Sequence, residues 1–401
     1  MSIPPELQSI LDEMEARTGS ATRSTQLAAW ALLFRSPFRI YETKPTSWIG
    51  GLPCAPAGFK WPRNAEGRHV HFVAQIDLSS LKPKFSDGAS APGLPDEGAL
   101  LVFAGEDFAV RVLEASQMSQ AAPVVPPDDL RDLREIGFFS SGKTFNAWAV
   151  DPVPYVSRYG EDADIVPDPF LSPKDWITNW AIAGLEAEIL LKAITVELRR
   201  DREFVEFRKK SLAEGRALPT PKHVEQRLEQ FAATEKPSSD LISALEAWRD
   251  LANSQTHDVP VDRNALDEIF EKRIALHDRM ERNYGSKHLL PGNAEIVWNE
   301  IVGRLPKIDG HPDFSCMSAA YRPFAEKQIT GWRGHRLFGL EPEFLNNQED
   351  LRGQDPLISI ASDKLLGTES EHDYGFSIWL DREKMAAGKF EQGQFVRHCA
   401  V

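Results

Sequence analysis

The segment HFVAQIDL, residues 71–78, carries the residue types in this sequence that are best suited to chemistry. Its alternation predicts a β-strand with His71, Gln75 and Asp77 on one face and apolar side chains on the other. His69 shares the polar face if the strand begins earlier. Two histidines at positions i and i+2 of a strand can face one metal ion, and Asp77 could act as a further ligand or as a general base.

A structural role explains the same residues. Asp77 precedes LSSL, a pattern typical of an N-cap that starts a short helical turn. Gln75, if it is buried, would form hydrogen bonds with backbone groups of a loop or a neighbouring strand. His69 and His71 follow the turn RNAEGR and would be solvated. We favour this interpretation because the spacing supplies no third or fourth ligand, so neither a metal ion nor another cofactor is expected.

A second polar group lies near the C-terminal end, in GHRLFGLEP and EHDYG, and comprises His335, Glu341, His372 and Asp373. If the two regions are related by pseudo-symmetry, their polar faces would flank a shared cleft. Turn formation explains Asp373 equally well. The sequence contains no GxSxG, HExxH, paired CxxC or glycine-rich phosphate motif, so no catalytic residue is predicted. The candidate ligand-binding residues are His71, Gln75, Asp77, His335 and Asp373.

The three cysteines, Cys54, Cys316 and Cys399, are far apart and form no CxxC pair. This pattern predicts reduced thiols and no disulfide framework, which is typical of the cytoplasm. No known signature surrounds Cys54 in LPCAP, and we expect the other two cysteines to pack as small apolar side chains.

The charge of the chain limits the classes of partner. The formal net charge of −14 opposes non-specific binding to nucleic acid and to anionic membranes. The start has no basic segment followed by an apolar one, and the longest early apolar run, residues 27–34, is too short to cross a membrane. We therefore expect a soluble cytoplasmic protein that binds neither nucleic acid nor membrane.

The chain divides into four regions that differ in their pattern of apolar residues, and these regions must position the candidate residues. Residues 1–45 show helical spacing of apolar residues, residues 46–168 contain short β-type runs separated by Pro and Gly, residues 169–305 are again helical, and residues 306–401 return to β-type runs. The predicted fold is α+β: a duplicated, mainly antiparallel β unit with a long helical insertion and an N-terminal helical segment.

The two β-type regions resemble each other in the order of their parts. The first contains GGLP, HFVAQID and EGALLVF, and the second contains FGLEP, PLISIASD and YGFSIWL. In each region a Gly-Leu turn near proline precedes one strand, and a glycine-led strand follows. Gly51 aligns with Gly339 and Gln75 with Ser359, so we interpret the two regions as an internal duplication.

These segments, together with GFKWP, RVLEA and PVVPPDDL, resemble the bacterial YwqG-like family, domain of unknown function 1963. The resemblance covers residues 46–130 and 330–401. The family has no established catalytic residues, and the position of some members near secreted-toxin genes implies an immunity or partner-binding role. Members carry a Leu-Gln-Ile-Asp core in the second repeat, where this sequence has Ser359-Ile360-Ala361. This departure argues against an equivalent polar site in both repeats.

Two functional hypotheses follow. The first is a non-enzymatic cytoplasmic binding protein whose helical insertion, residues 169–305, engages a protein partner. The second is an enzyme, or a small-ligand or metal-binding protein, that uses a cleft between the repeats. We favour the first because the chain is acidic, the insertion is long and catalytic motifs are absent. A structural component of a larger assembly is not separable from the first hypothesis by sequence.

Overall fold

The computed structural model describes residues 26–81, 93–158, 176–216, 222–264, 266–271, 294–308, 311–331, 333–339, 351, 354–370 and 373–399. The chain forms two compact units. The first comprises Met1–Arg35, Tyr41–Pro167 and Thr330–Val401, and the second comprises Ser36–Ile40 and Asp168–Ile329. The first unit is therefore discontinuous in sequence, and the segment inserted into it extends to residue 329.

The first unit is built on a ten-stranded sheet whose neighbouring strands pair antiparallel. In spatial order its strands are β14 (Gln394–Cys399), β13 (Asp373–Leu380), β12 (Asp355–Ala361), β11 (Arg336–Phe338), β1 (Gln26–Phe34), β8 (Trp148–Arg158), β2 (Trp48–Ile49), β4 (His71–Asp77), β5 (Ala99–Ala104) and β6 (Phe108–Leu113). The unit also contains the two-stranded ladder of β3 (Cys54–Ala55) and β7 (Ala122–Pro123), and the short helices α1 (Ala115–Met118) and α6 (Arg382–Ala386).

Two four-stranded meanders flank a central pair of strands in this sheet. The first meander consists of β2, β4, β5 and β6, the second consists of β11, β12, β13 and β14, and strands β8 and β1 lie between them. The two registers are equivalent, because Trp48 lies opposite Gln75 in the first meander as Arg336 lies opposite Ser359 in the second. This equivalence agrees with the alignment of Gln75 with Ser359.

The turn that leaves the first strand of each meander is also equivalent. Gly50 and Gly51 have φ angles of 71° and 69°, and Phe338 and Gly339 have φ angles of 56° and 92°. Residues with a side chain rarely adopt this left-handed conformation, and Phe338 is the one residue other than glycine that does so in the described part of the chain. The predicted α+β fold with a mainly antiparallel sheet is confirmed.

The N-terminal segment differs from the prediction. Residues 26–34 form strand β1, so the predicted helical segment over residues 1–45 is wrong there, while residues 1–25 lie outside the described residues. β1 pairs along its whole length with β8 and on its other edge with β11. Ala29, Trp30, Ala31 and Leu32 are all buried. Because both faces of this strand are covered, its sequence has no periodicity that would separate a strand from a helix.

Strand β8 contains Pro152 and Pro154 although it belongs to the sheet interior. β8 pairs with β2 only at Trp148 and Ala149. Beyond Ala149, the described strand that pairs with β8 is β1, on the other edge. The two prolines lie two residues apart, and their missing N–H groups therefore fall on the same edge of the strand. That edge has no described partner, which is where a strand tolerates proline.

The sheet curls so that its two edge strands approach each other. Arg397 of β14 donates to the carbonyl oxygens of Gly105 (3.2 Å), which precedes β6, and Ile136 (2.8 Å). Its guanidinium lies 5.0 Å from the centre of the Phe138 ring, and Phe138 packs in turn against Phe376 of β13. Aromatic and polar contacts therefore join the two meanders on the concave side.

The second unit is mainly helical and contains α2 (Trp180–Ala213), α3 (Lys222–Ser254), α4 (Ala294–Gly303) and α5 (Arg322–Thr330), with a short ladder of β9 (Lys307–Ile308) and β10 (His311–Pro312). Helix α2 begins after Asn179, whose side-chain oxygen accepts from the N–H of Ile182 (3.1 Å). The rings of Trp180 and Trp248 join α2 to α3 with centroids 5.2 Å apart. None of the helices in the described residues is long and apolar enough to span a membrane.

Candidate ligand-binding site

A β-bulge in β4 separates the predicted polar row. Phe72 pairs with Phe103 of β5 and Ala74 pairs with Val102, so Val73 is an extra residue without a cross-strand partner. An extra residue moves every side chain beyond it to the other face. Gln75 therefore shares a face with Phe72, and the prediction that His71 shares a face with Gln75 and Asp77 is wrong.

His71 lies on the concave side of the sheet and is 2% exposed, so the expected solvation of this residue is also wrong. Its Nε2 donates to the carbonyl oxygen of Arg131 (2.9 Å), and its ring lies 6.4 Å from that of Phe145. Burial disfavours the charged imidazolium and lowers the pKa of His71 below its usual value, and this outweighs the hydrogen bond to Arg131. His71 is a core residue that anchors the loop at Arg131.

Gln75 is completely buried and uses only one end of its amide within the protein. Its Oε1 accepts from the backbone N–H of Cys54 (2.8 Å), as predicted for a buried glutamine that serves a loop. This contact fixes which end is oxygen, because an amide nitrogen there would face another donor. The Nε2 group finds no acceptor among the described residues. Within the described residues, Gln75 is thus a buried side chain with an unused donor.

Asp77 has the capping role that the sequence predicts. Its Oδ1 accepts from the N–H (2.9 Å) and the hydroxyl (2.7 Å) of Ser79, at the start of the 3-10 turn Leu78–Leu81. Its backbone N–H donates to the hydroxyl of Ser47 (2.9 Å). The capping oxygen is fully used, and the second carboxylate oxygen is available to another donor.

Gln75 and Asp77 both line a cavity of about 510 Å³ at the outer face of the first meander, which we call the Gln75 cavity. Trp48 lies opposite Gln75 in the β2–β4 register and forms part of the wall. Its indole N–H donates to the carbonyl oxygen of Leu52 (3.0 Å), which fixes the ring. The described lining residues are Pro45, Thr46, Trp48, Gln75, Asp77, Ser79, Glu97, Gly98, Ala99, Ala115 and Met118.

The electrostatic character of the Gln75 cavity is acidic. Asp77 and Glu97 contribute two carboxylates, and none of the lining residues in the described part of the chain is Lys, Arg or His. The remaining lining is apolar or carries hydroxyl groups. Glu97 already has an interaction of its own, so Asp77 is the carboxylate of this lining that can be offered to a ligand.

The second meander has no counterpart of the two polar residues. The register places Ser359 at the position of Gln75, and Ala361 at the position of Asp77. Arg336 lies where the first meander has Trp48, and it is buried. The two meanders therefore do not present equivalent sites, as the Ser359-Ile360-Ala361 sequence indicated.

His335 belongs to a different polar cluster in the second meander and is 0% exposed. Its Nδ1 accepts from the backbone N–H of Ala361 (3.2 Å), and its Nε2 donates to Oδ2 of Asp363 (3.1 Å). The ring also stacks on Phe34, with centroids 5.3 Å apart. His335 does not line the Gln75 cavity.

Asp363 is the centre of that cluster and was not identified from the sequence. Arg333 donates to it through Nε and Nη2, and the backbone N–H of Leu365 donates to its Oδ1 (2.7 Å). Burial opposes ionisation, but the hydrogen bond from His335 and the charge of Arg333 outweigh it and hold the pKa of Asp363 well below its usual range. The signal in the sequence was an Asp followed closely by a Gly-Thr turn in SDKLLGT.

The Asp363 cluster fixes a loop to the central strands. The carbonyl oxygen of Leu365 accepts from the indole N–H of Trp148 in β8 (2.9 Å) and from Nδ2 of Asn146 (2.6 Å). Thr368 closes the loop, because its hydroxyl accepts from the N–H of Asp363 (3.0 Å) and donates to the carbonyl oxygen of Ala361 (2.8 Å). These partners are all internal, so the cluster is structural.

The remaining candidates do not add to the site. The backbone of Asp373 starts β13 and pairs with Cys399, but its side chain, Glu341 and His372 lie outside the described residues. Among the residues that the structure describes, no three His, Cys, Asp or Glu side chains form a group that could hold a metal ion.

The two thiols that the structure describes are not activated. Burial raises the pKa of Cys54. Cys316 is exposed, which contradicts the expectation that it packs as an apolar side chain, and its hydrogen bond to Asp313 (3.1 Å) raises its pKa. Neither side chain has the lowered pKa of a catalytic thiol.

These features define an α+β protein with a duplicated antiparallel meander and a cavity in the first copy. Residues 47–399 match a family model described as Domain of unknown function (DUF1963), and the chain belongs to this family, as the sequence segments indicated. The match begins after β1, although β1 occupies the centre of the sheet. No curated protein matches the chain.

Proposed function

We propose that this protein is a non-enzymatic binding protein that holds a small organic ligand in the Gln75 cavity. The observation that carries the proposal is the combination of this cavity with Gln75, a residue of its lining whose buried Nε2 group has no acceptor in the described residues. A buried donor without a partner costs about 1–3 kcal/mol. Gln75 has no exposed surface in the free protein, so the ligand removes this cost when the amide turns toward the cavity and meets its acceptor.

The size and composition of the cavity support this function. Its volume of about 510 Å³ lies within the range of about 300–1,000 Å³ that is typical of ligand pockets. Apolar walls from Trp48, Ala99 and Met118 surround a few polar groups, which is the usual composition of such a pocket. Asp77 and the hydroxyl of Ser79 bond to each other within the cap of the Leu78–Leu81 turn, and this structural role favours binding over catalysis.

The proposal is tested by extraction of the bound compound. The protein is purified in its folded state from its native host and is then denatured to release any bound compound. The released compounds are compared by mass spectrometry with those from the Gln75→Met variant. We expect one compound near stoichiometric amount in the wild type and its loss in the variant, which keeps the side-chain volume but has neither the Nε2 donor nor the Oε1 acceptor of the Cys54 N–H. The matched control is Ser359→Ala, at the same register position in the second meander, which should retain the compound. Wild-type protein without any extractable compound would contradict the proposal.

A second candidate function, partner binding by the helical unit, is favoured by two exposed apolar side chains on α2. Phe207 is 58% exposed and Leu212 is 69% exposed. Large apolar side chains of this kind are common at protein interfaces. Replacing both with serine should abolish co-purification of a stoichiometric protein from the native host. Leu251→Ser, on α3, is the control and should leave the co-purification unchanged. Equal capture of the partner by the wild type, the double variant and Leu251→Ser would argue against this function.

The cysteines support location in a reducing compartment such as the cytoplasm. Cys54 and Cys316 are both free thiols. Lysis of cells in denaturant with an alkylating reagent should label both residues completely in peptide mass spectra. Recovery of either one as a disulfide would contradict a cytoplasmic location.

A further inference from the structure

We propose that the ligand of the Gln75 cavity carries a flat aromatic group, which packs against Trp48 and Met118. This inference rests on the proposed function, because it assigns the class of ligand that the cavity would hold. The aromatic group contacts the apolar part of the lining, and this contact requires neither a hydrogen bond to Gln75 nor the charge of a carboxylate.

Several polar side chains of the lining already have partners within the protein. The hydroxyl of Ser79 donates to Oδ1 of Asp77 (2.7 Å), and the indole N–H of Trp48 donates to a backbone carbonyl oxygen (3.0 Å). Glu97 has an interaction of its own, and Gln75 is completely buried. The surface that a ligand can contact without disturbing these groups is therefore mainly apolar.

Trp48 forms one part of this apolar surface. It lies opposite Gln75 in the β2–β4 register, and cross-strand neighbours share a face of the sheet, so its side chain lies on the outer face. The ring packs on the apolar cluster of that face, which includes Ala99 and Leu101, but it is only partly buried. Its hydrogen bond to Leu52 holds the ring in one orientation, so a ligand meets an aromatic surface that is already in place.

Helix α1 supplies a second part of the apolar surface. Ala115 and Met118 are three positions apart, so they lie on the same face of the helix, and both line the cavity. Ser116 and Gln117, between them, are exposed and do not belong to the described lining. Met118 packs on the same apolar cluster as Trp48. The indole and the thioether therefore belong to one apolar wall.

A wall of this composition favours a flat aromatic group. An aromatic ring can stack on an indole and attract a sulfur atom to its edge, and both contacts add to the free energy of burying the ring. A saturated ring system of the same size buries a similar apolar area but makes neither contact. The cavity volume of about 510 Å³ leaves room for a group of two fused rings.

Isothermal titration calorimetry of the full-length protein with two probes tests the assignment. The probes are 2-naphthamide and decahydronaphthalene-2-carboxamide, which share the carbon skeleton and the carboxamide and differ in aromaticity. We expect 2-naphthamide to bind at least about tenfold more tightly. Equal affinities, or tighter binding of the saturated probe, would overturn the inference.

Variants of α1 locate the contact. Met118→Leu keeps an apolar side chain but removes the sulfur, so it should reduce the preference for 2-naphthamide about threefold. Ala115→Leu adds volume to the lining and should weaken both probes at least about tenfold. The matched control is Ser116→Leu, at the next position of the helix and outside the described lining, which should leave both affinities unchanged. Equal effects of the two leucine variants on α1 would overturn the assignment to this wall.

The extraction experiment separates this inference from the proposed function. A bound compound without an aromatic ring, or a bound compound together with no binding of either probe, would overturn the inference while the proposed function stands. Wild-type protein without any extractable compound contradicts the proposed function, and the two probes still decide whether the wall prefers aromatic groups.

Discussion

The first meander places Trp48 opposite Gln75 at the register position where the second meander places Arg336 opposite Ser359. In the first, the glutamine lines a cavity and its donor has no acceptor in the part of the chain that the structure describes. In the second, the polar cluster is centred on Asp363, whose hydrogen-bond partners lie within the protein. The two meanders therefore have equivalent backbone pairing, but the first has an open polar site and the second has a closed, structural polar cluster.

Breaking the closed cluster should have the largest effect on stability. Asp363→Ala removes the acceptor of His335, Arg333 and the Leu365 N–H, and it leaves buried donors unpaired. We expect the free energy of unfolding to fall by about 3–5 kcal/mol. Urea denaturation followed by tryptophan fluorescence measures it. Asp77→Ala, in the open site, is the comparison, and equal losses in the two variants would show that the clusters do not differ in this way.

The equivalent turns give the next largest effect. At Gly50 a Cβ atom would lie 2.0 Å from the carbonyl oxygen of Asn146, whereas at Gly339 it would meet the side chains of Ala29 and Ser157 at 3.0 and 3.1 Å. Both positions have positive φ, which alone costs about 1–2 kcal/mol for alanine. Gly50→Ala should therefore lower thermal stability more than Gly339→Ala. The reverse order in differential scanning fluorimetry would contradict the assigned geometry.

Acid should weaken the closed cluster selectively. The pKa of Asp363 is lowered in the folded protein, while an unfolded aspartate titrates near about 3.9. A lowered folded pKa gives stability that is complete above the unfolded value and is lost as the pH falls towards the folded value. The difference in unfolding free energy between wild type and Asp363→Asn should thus be constant from pH 6 to 7 and shrink below about pH 4. A difference that is independent of pH would contradict the ionised state of Asp363.

The smallest effect sharpens the role of Asp77. Asp77→Ala removes the cap of the Leu78–Leu81 turn and should cost about 1 kcal/mol, whereas Asp77→Asn should cost much less because asparagine also caps well. Chemical denaturation of both variants measures the pair. A similar loss in both would mean that the charge of Asp77, and not its capping oxygen, supports the first meander.

The sequence predicts those features whose cause is local. The capping by Asp77 follows from the LSSL residues that come next, and the strands of both meanders follow from alternation and glycine turns. Gln75 was predicted to serve a loop because a buried amide needs a backbone partner, but its partner, Cys54, is distant in sequence. The face of His71 could not be predicted, because a bulge at Val73 depends on the pairing with β5. Asp363 was missed because its partner His335 is distant in sequence and is brought to it only by the β11–β12 pairing.

The central place of β1 also has a consequence for the way the chain folds during synthesis. Trp30 of β1 pairs with Leu337, which a ribosome adds about 300 residues later, or about 15–60 s at ordinary rates of synthesis. Until then β1 can be paired on the side of β8 only, and the growing chain exposes an apolar strand edge. Nascent chains of this protein should therefore depend on a chaperone that covers that edge until β11 arrives.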